Sequence, residues 1–111
     1  MKLTHEDYDQ LTVVAIRGEL NAEACDTFRE EMSQRLEQDV RDFVLNLSET
    51  ESIDSQGLEA LLWLQDCCAE QLGQVRLAHA SPSFQEVLRV TRLAGRLDCH
   101  EDVDAAITSL R

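Results

Sequence analysis

The stretch Phe43-Val44-Leu45-Asn46-Leu47, followed at Ile53-Asp54-Ser55-Gln56-Gly57-Leu58 by the start of a helix, decides how this chain folds. A short segment that is apolar at nearly every position reads as a strand buried on both faces, as in a sheet covered by helices. Asp54 and Ser55 then fall where capping residues belong. Ser55 therefore has two readings. As a cap it needs no function. As a hydroxyl at a helix N-terminus it lies beside unpaired N–H groups and the positive end of the helix dipole. A phosphoryl group there would add about −1.5 to −2 charges and three strong acceptor oxygens.

Toward the N-terminus, Leu11-Thr12-Val13-Val14-Ala15-Ile16 is rich in β-branched residues and reads as a central strand, ending at a turn over Gly18-Glu19-Leu20-Asn21. Met1 to Glu6 can pair with it across Asp7-Tyr8-Asp9-Gln10. Asn21 is a good N-cap for a helix whose Cys25, Phe28, Met32 and Leu36 recur at spacings of three and four, leaving Glu23, Asp26, Arg29, Glu30 and Glu37 outside.

Toward the C-terminus, Leu61, Leu62, Gln65, Cys68, Ala69 and Leu72 share one face of a second helix, with Gly73 as its stop. Trp63 lies off that face, where either a partner or a neighbouring helix could cover it, and Leu64 poses the same question. A strand over Gln74 to His79 precedes Ser81-Pro82, an N-cap and N1 pair. Phe84, Val87, Leu88 and Thr91 are the inward positions of the helix that follows. Leu97 to Cys99 reads as a last strand, and Val103, Ala106, Ile107 and Leu110 as a closing amphipathic helix. The order β-β-α-β-α-β-α-β-α implies one α/β domain over residues 1–111, a mixed and mostly parallel sheet with about four helices packed on it. Sites in such sheets gather beyond the carboxyl ends of strands. The Ser48 to Ser55 connection and the Gly18 to Asn21 turn should be neighbours there.

Ten basic against 22 acidic residues leave a formal charge of −12, a field that repels nucleic-acid backbones and anionic lipid and suits a basic or mixed-charge protein partner. Cys25, Cys67, Cys68 and Cys99 show no C-x-x-C spacing, and His5, His79 and His100 are scattered singly, so no metal signature is present and reduced thiols are expected. No apolar run approaches the roughly 20 residues needed to span a bilayer, and no charged-then-apolar leader opens the chain, so a cytoplasmic location is expected. Asp54-Ser55-Gln56-Gly57 lacks the first glycine of a nucleophile elbow, and no Gly-rich loop with lysine occurs. No catalytic residue and no cofactor is expected.

Gly18-Glu19-Leu20-Asn21, Phe43 to Ser48, Ile53 to Leu58, Gly73-Gln74-Val75-Arg76-Leu77 and Val87 to Leu97 together resemble a STAS domain, the fold of anti-sigma factor antagonists, over nearly the whole chain. The resemblance implies a non-enzymatic switch in transcription regulation. Such a protein binds an anti-sigma factor with serine kinase activity, releases a sigma factor, and is turned off by phosphorylation. The family's acceptor serine matches Ser55, and its preceding aspartate matches Asp54. A phosphatase acting on phospho-Ser55 is implied as a further partner. The implied contact surface comprises Asn21, Asn46, Asp54, Ser55, Gln56, Gly57, Leu58 and Glu59, with Gly57 open to a partner's backbone and the two asparagines lining a pocket beside Ser55. Asn21 and Asn46 depart from the family, whose members often carry aspartate there, and Glu59 is acidic where small residues are usual. Stand-alone domains of this fold also serve as accessory or scaffold subunits of lipid-transport-like or signalling complexes without phosphorylation, which is the alternative reading.

Overall fold

The computed structural model describes residues 1–110. The elements are β1 (Lys2–Tyr8), β2 (Leu11–Leu20), α1 (Ala22–Glu37), β3 (Asp42–Asn46), β4 (Thr50–Ile53), α2 (Ser55–Glu70), β5 (Val75–Ala78), α3 (Pro82–Val90), β6 (Asp98–His100) and α4 (Val103–Ser109). The sheet runs β1-β2-β3-β5-β6, with β4 paired to β2 off this path. Among the described residues only the β1–β2 pair is antiparallel, so the sheet is mixed and mostly parallel, as the alternation of strands and helices implies.

Alternation along each strand divides the sheet into two apolar faces. Val14, Ile16, Phe43, Leu45, Val75 and Leu77 build the main core with Phe28 and Met32 of α1, Leu61 and Leu64 of α2, and Phe84 and Leu88 of α3. Val44 and Ala78 face the other way, onto Ala106 of α4. This two-sided cover is the reason β3 is apolar at Phe43, Val44 and Leu45 in succession.

One strand was not expected. Thr50 to Ile53 carries no hydrophobic alternation, yet it pairs parallel with Gly18 to Leu20. The cause lies in the length of β2, whose ten residues outrun the five of β3. β2 pairs β3 from Leu11 to Ala15 and then has a free edge, which β4 fills. Gly18 to Leu20 is accordingly strand, not turn. Gly18, at φ +92°, marks the register shift between the two pairings, and its N–H donates to the Glu49 carbonyl at 3.0 Å. The last strand is also one residue later than expected, with Leu97 buried ahead of it.

The helix faces need correction in two places. In α2 the buried residues are Gly57, Ala60, Leu61, Leu64 and Cys68, while Leu62 is half-buried and Ala69 and Leu72 are exposed. Trp63 is half-buried against the core, covered by its own fold, and Leu64 is buried completely. In α3, Phe84 and Leu88 point inward, but Val87 and Thr91 do not. Nine residues make a helix too short to bury a wide face, so the i, i+4 pair alone reaches the core.

The helix ends share one device. After α1, α2 and α3 the chain takes a left-handed residue, Asp39, Leu72 and Arg92 respectively, at φ +65°, +63° and +62°. The next N–H then reaches back to a carbonyl of the last turn: Val40 to Arg35, Gly73 to Cys68 and Leu93 to Leu88, at 2.8–3.1 Å. These are Schellman caps built without glycine at the left-handed position. Gly73 is needed for a different reason, because a Cβ there would stand 1.9 Å from the Arg41 carbonyl oxygen.

Candidate functional site

The carboxyl ends of β2 and β4 deliver the chain into the N-termini of α1 and α2. The two helices start side by side, because both follow strands that run parallel. Asn21 caps α1, its side-chain oxygen accepting the Ala24 N–H at 3.1 Å. Asp54 caps α2, its carboxylate accepting the Gly57 N–H at 2.8 Å while its own N–H donates to the Leu20 carbonyl at 3.2 Å. The expected neighbourhood of the two connections is thus a direct bond between them.

Ser55 is the first residue of α2 and is exposed, and its hydroxyl makes no hydrogen bond to any described residue. The cap role belongs to Asp54, so the Ser55 oxygen is free for other chemistry. Gln56 and Glu59 are exposed beside it, and Leu58 is half-buried, packed against the core. Gly57 is buried. Its missing side chain makes room for the Leu20 carbonyl oxygen, which a Cβ would approach to 2.2 Å. The space is filled from within the molecule, not left for a partner's backbone.

The two asparagines do not share a pocket. Asn21 lines a depression of about 480 Å³ with Glu19, Glu23 and Glu51. Asn46 lines another, of about 250 Å³, between β1, β2 and Val103 of α4. The separation follows from strand alternation: Leu45 and Leu47 point into the main core, so Asn46, between them, points toward the α4 face. There its side chain accepts the Ser48 N–H at 3.0 Å, holding the turn that leads to β4. Ser55 lines neither depression.

α1 and α2 are in contact along a seam that begins at this junction. Near its start Cys25 is buried and donates its Sγ–H to the Asn21 carbonyl at 3.0 Å. Burial pushes its thiol up, Arg29 opposes this, and Asp54, Asp26 and Glu59 push in the same direction as burial. One cation and three carboxylates therefore act on the same point of the seam. Arg29, which the helical spacing leaves outside, is half-buried. Sequence reasoning missed it because charged residues beside an apolar stripe are ordinarily solvated.

All four cysteines are free, and each has its thiol raised with burial the first cause, Cys68 to about 12. Among the described residues no group of three or more His, Cys, Asp or Glu is placed to hold a metal ion, and no helix is long and apolar enough to cross a membrane.

The STAS domain family model matches residues 2–106. In sequence the chain is similar to BtrV of Bordetella bronchiseptica, provisionally named an anti-sigma factor antagonist, at 24% identity over 82% of this chain and 78% of that one. In structure it is similar to TM1081 of Thermotoga maritima, with the same provisional naming, at a TM-score of 0.91 and 22% identity, covering 98% and 94% of the two chains. It is also similar to the anti-sigma factor antagonist SpoIIAA in its unphosphorylated form, at a TM-score of 0.82 and 20% identity over 97% and 96%. With the family model spanning nearly all of the described residues, and the same sheet and helices found in solved relatives, the chain belongs to the STAS domain family.

Proposed function

We propose that this protein is an anti-sigma factor antagonist: a cytoplasmic binding domain that captures an anti-sigma factor of the serine kinase type and is released when that kinase phosphorylates Ser55. A phosphatase acting on phospho-Ser55 would restore the binding form. The observation that carries the reading is the Ser55 hydroxyl, exposed and unbonded at the first position of a helix whose capping is done by its neighbour Asp54. The names of BtrV, TM1081 and SpoIIAA support the partner class, and SpoIIAA has also been solved in a phosphorylated form. The contact surface in this reading is the exposed rim of Asp54, Ser55, Gln56 and Glu59, with Asn21 beside it.

The direction of the switch follows from local charge. The Gly57 N–H is already taken by Asp54, so a phosphate on Ser55 would find one fewer helix-end donor and two carboxylates close by, Asp54 and Glu59 one turn on. It would stand out as a dianion on the surface that the partner must cover. The test is a pull-down from native extract with wild-type protein and Ser55→Asp in parallel, bound proteins being identified by mass spectrometry. A kinase-type anti-sigma partner held by the wild type and lost by Ser55→Asp is the expected result. An ATPase or scaffold partner held equally by both would overturn the reading in favour of an accessory subunit.

A further inference from the structure

On the reading of Ser55 as phosphoacceptor, we propose that Arg29 of α1 is the counter-charge for phospho-Ser55, drawing the phosphate across the α1–α2 seam and setting how much negative charge the modified surface presents.

Three observations lead there. Helical spacing puts Arg29 on the side of α1 turned away from β1. The opposite side is fixed by its contacts: Arg35 reaches β1 at His5 and Asp7, and Ala24 and Thr27 line the depression beside Met1 and Gly18. Cys25 and Arg29, four residues apart, occupy one stripe of α1, which is in contact with α2, and the stripe starts where Cys25 bonds the Asn21 carbonyl, next to the Leu20 carbonyl that the Asp54 N–H reaches. Second, α1 and α2 begin at the same end of the sheet, and helical side chains lean toward their own N-terminus. The Arg29 side chain is thereby aimed back toward the level of Cys25, where Asp54 and Glu59 also act. Packed helices are about 8–10 Å apart, a gap that a long arginine side chain can span.

Third, Arg29 makes no hydrogen bond or ion pair with a described residue; among the described arginines it shares this with Arg92, which is exposed, while Arg17, Arg35, Arg41, Arg76, Arg89 and Arg96 are paired. It is a half-buried guanidinium without an ion pair among the described residues, and it acts on the Cys25 thiol together with the carboxylates of Asp54, Asp26 and Glu59. A phosphate offers what these carboxylates do not: about two charges and three oxygens on one flexible hydroxyl, matched to the planar fork of a guanidinium. Arg29 is in this sense a positioning residue for the modification, not a group that takes part in forming it.

The experiment uses the full chain with phosphoserine installed at position 55 during translation, so that no kinase is needed. The second ionisation of the phosphate is followed by 31P NMR against pH. On this proposal the neighbouring carboxylates of Asp54 and Glu59 raise it and Arg29 lowers it. Arg29→Gln is expected to raise it by about half a pH unit, close to a threefold change in proton affinity and the size expected of one cation a few ångströms away in water. Arg29→Lys should recover part of the difference, and Arg92→Gln, an exposed cation beyond α3, should leave it unchanged. Without any substitution, the Arg29 Nε–H resonance should move downfield and exchange more slowly in the phosphorylated chain than in the unmodified one. An unmoved Arg29 resonance, or the same titration in Arg29→Gln as in the parent, would overturn the proposal. Failure of the kinase to modify Ser55 in the native chain would instead remove the reading on which it rests, a separate result from a separate assay.

Discussion

Gly57 and the carbonyl of Leu20 are packed so closely that a single added carbon would lie 2.2 Å from the oxygen. This contact joins the first turn of α2 to the end of β2, and it shares the Leu20 carbonyl with the Asp54 N–H. The serine that follows the cap is held in place by an approach between backbones, which only glycine permits.

Gly57→Ala should therefore disturb the site from within. The obstructing atom is backbone, so the helix must shift, and a loss of about 1–3 kcal/mol is expected from such overpacking. Urea unfolding of Gly57→Ala against wild type measures it. A loss below about 0.5 kcal/mol, within the range of ordinary surface substitutions, would show that the junction can relax and that the contact is not a constraint.

Ser55→Ala should behave in the opposite way. The side chain bonds no described residue and is exposed, so stability should stay within about 0.5 kcal/mol of wild type. Incorporation of phosphate from labelled ATP by the cognate kinase should disappear. Undiminished labelling of this variant would move the acceptor elsewhere.

Leu72→Gly should stabilise the protein. Leu72 holds φ at +63°, is 89% exposed and buries nothing that a truncation would forfeit. A left-handed residue with a side chain costs roughly 1–2 kcal/mol, against about 0.4–1 kcal/mol of extra chain entropy that glycine gives the unfolded state. A net gain near 0.5–1 kcal/mol is expected from this difference. A lower urea midpoint at unchanged slope would contradict it.

Alkaline pH should weaken the fold through Cys68. Its thiol, fully buried, is raised from 9.0 to about 12, chiefly by burial, with Cys67 and Asp42 adding. Below pH 9 the group is neutral whether folded or not, and its contribution is complete. Between about 9 and 12 only the unfolded chain ionises it, so stability falls as pH rises. The loss between pH 9 and 10 should be about 1 kcal/mol, and Cys68→Ala should flatten the slope by that amount whatever its baseline cost. Equal slopes in the two proteins would show that Cys68 ionises in the folded state as readily as outside it.

Much of this molecule was legible in one dimension. Phe43 to Leu47 announced a strand covered on both sides, Asn21, Asp54 and Ser81 announced helix starts, and each of the three caps is made by the side chain expected. These features depend on local periodicity and on hydrogen bonds spanning three residues, which sequence carries directly. β4 could not be read in this way. Thr50-Glu51-Ser52-Ile53 has no strand pattern of its own and pairs only because β2 extends past β3 and offers an edge. The left-handed caps at Asp39, Leu72 and Arg92 were hidden for a related reason, since the usual glycine marker is absent from those positions.

The candidate site divides along the same line. The sequence by itself determined that a serine would stand at a helix start beyond the carboxyl end of a strand, because capping chemistry and strand-helix alternation are local properties of the chain. Only the tertiary structure decided that Gly57 serves the Leu20 carbonyl, that Asn46 belongs to the α4 face while Asn21 stays with α1, and that Arg29 lies unpaired along the seam. Those facts depend on which elements lie side by side and on which face each strand residue takes. Both are set by the register of pairings between residues far apart in the chain, where a shift of one position exchanges inside for outside.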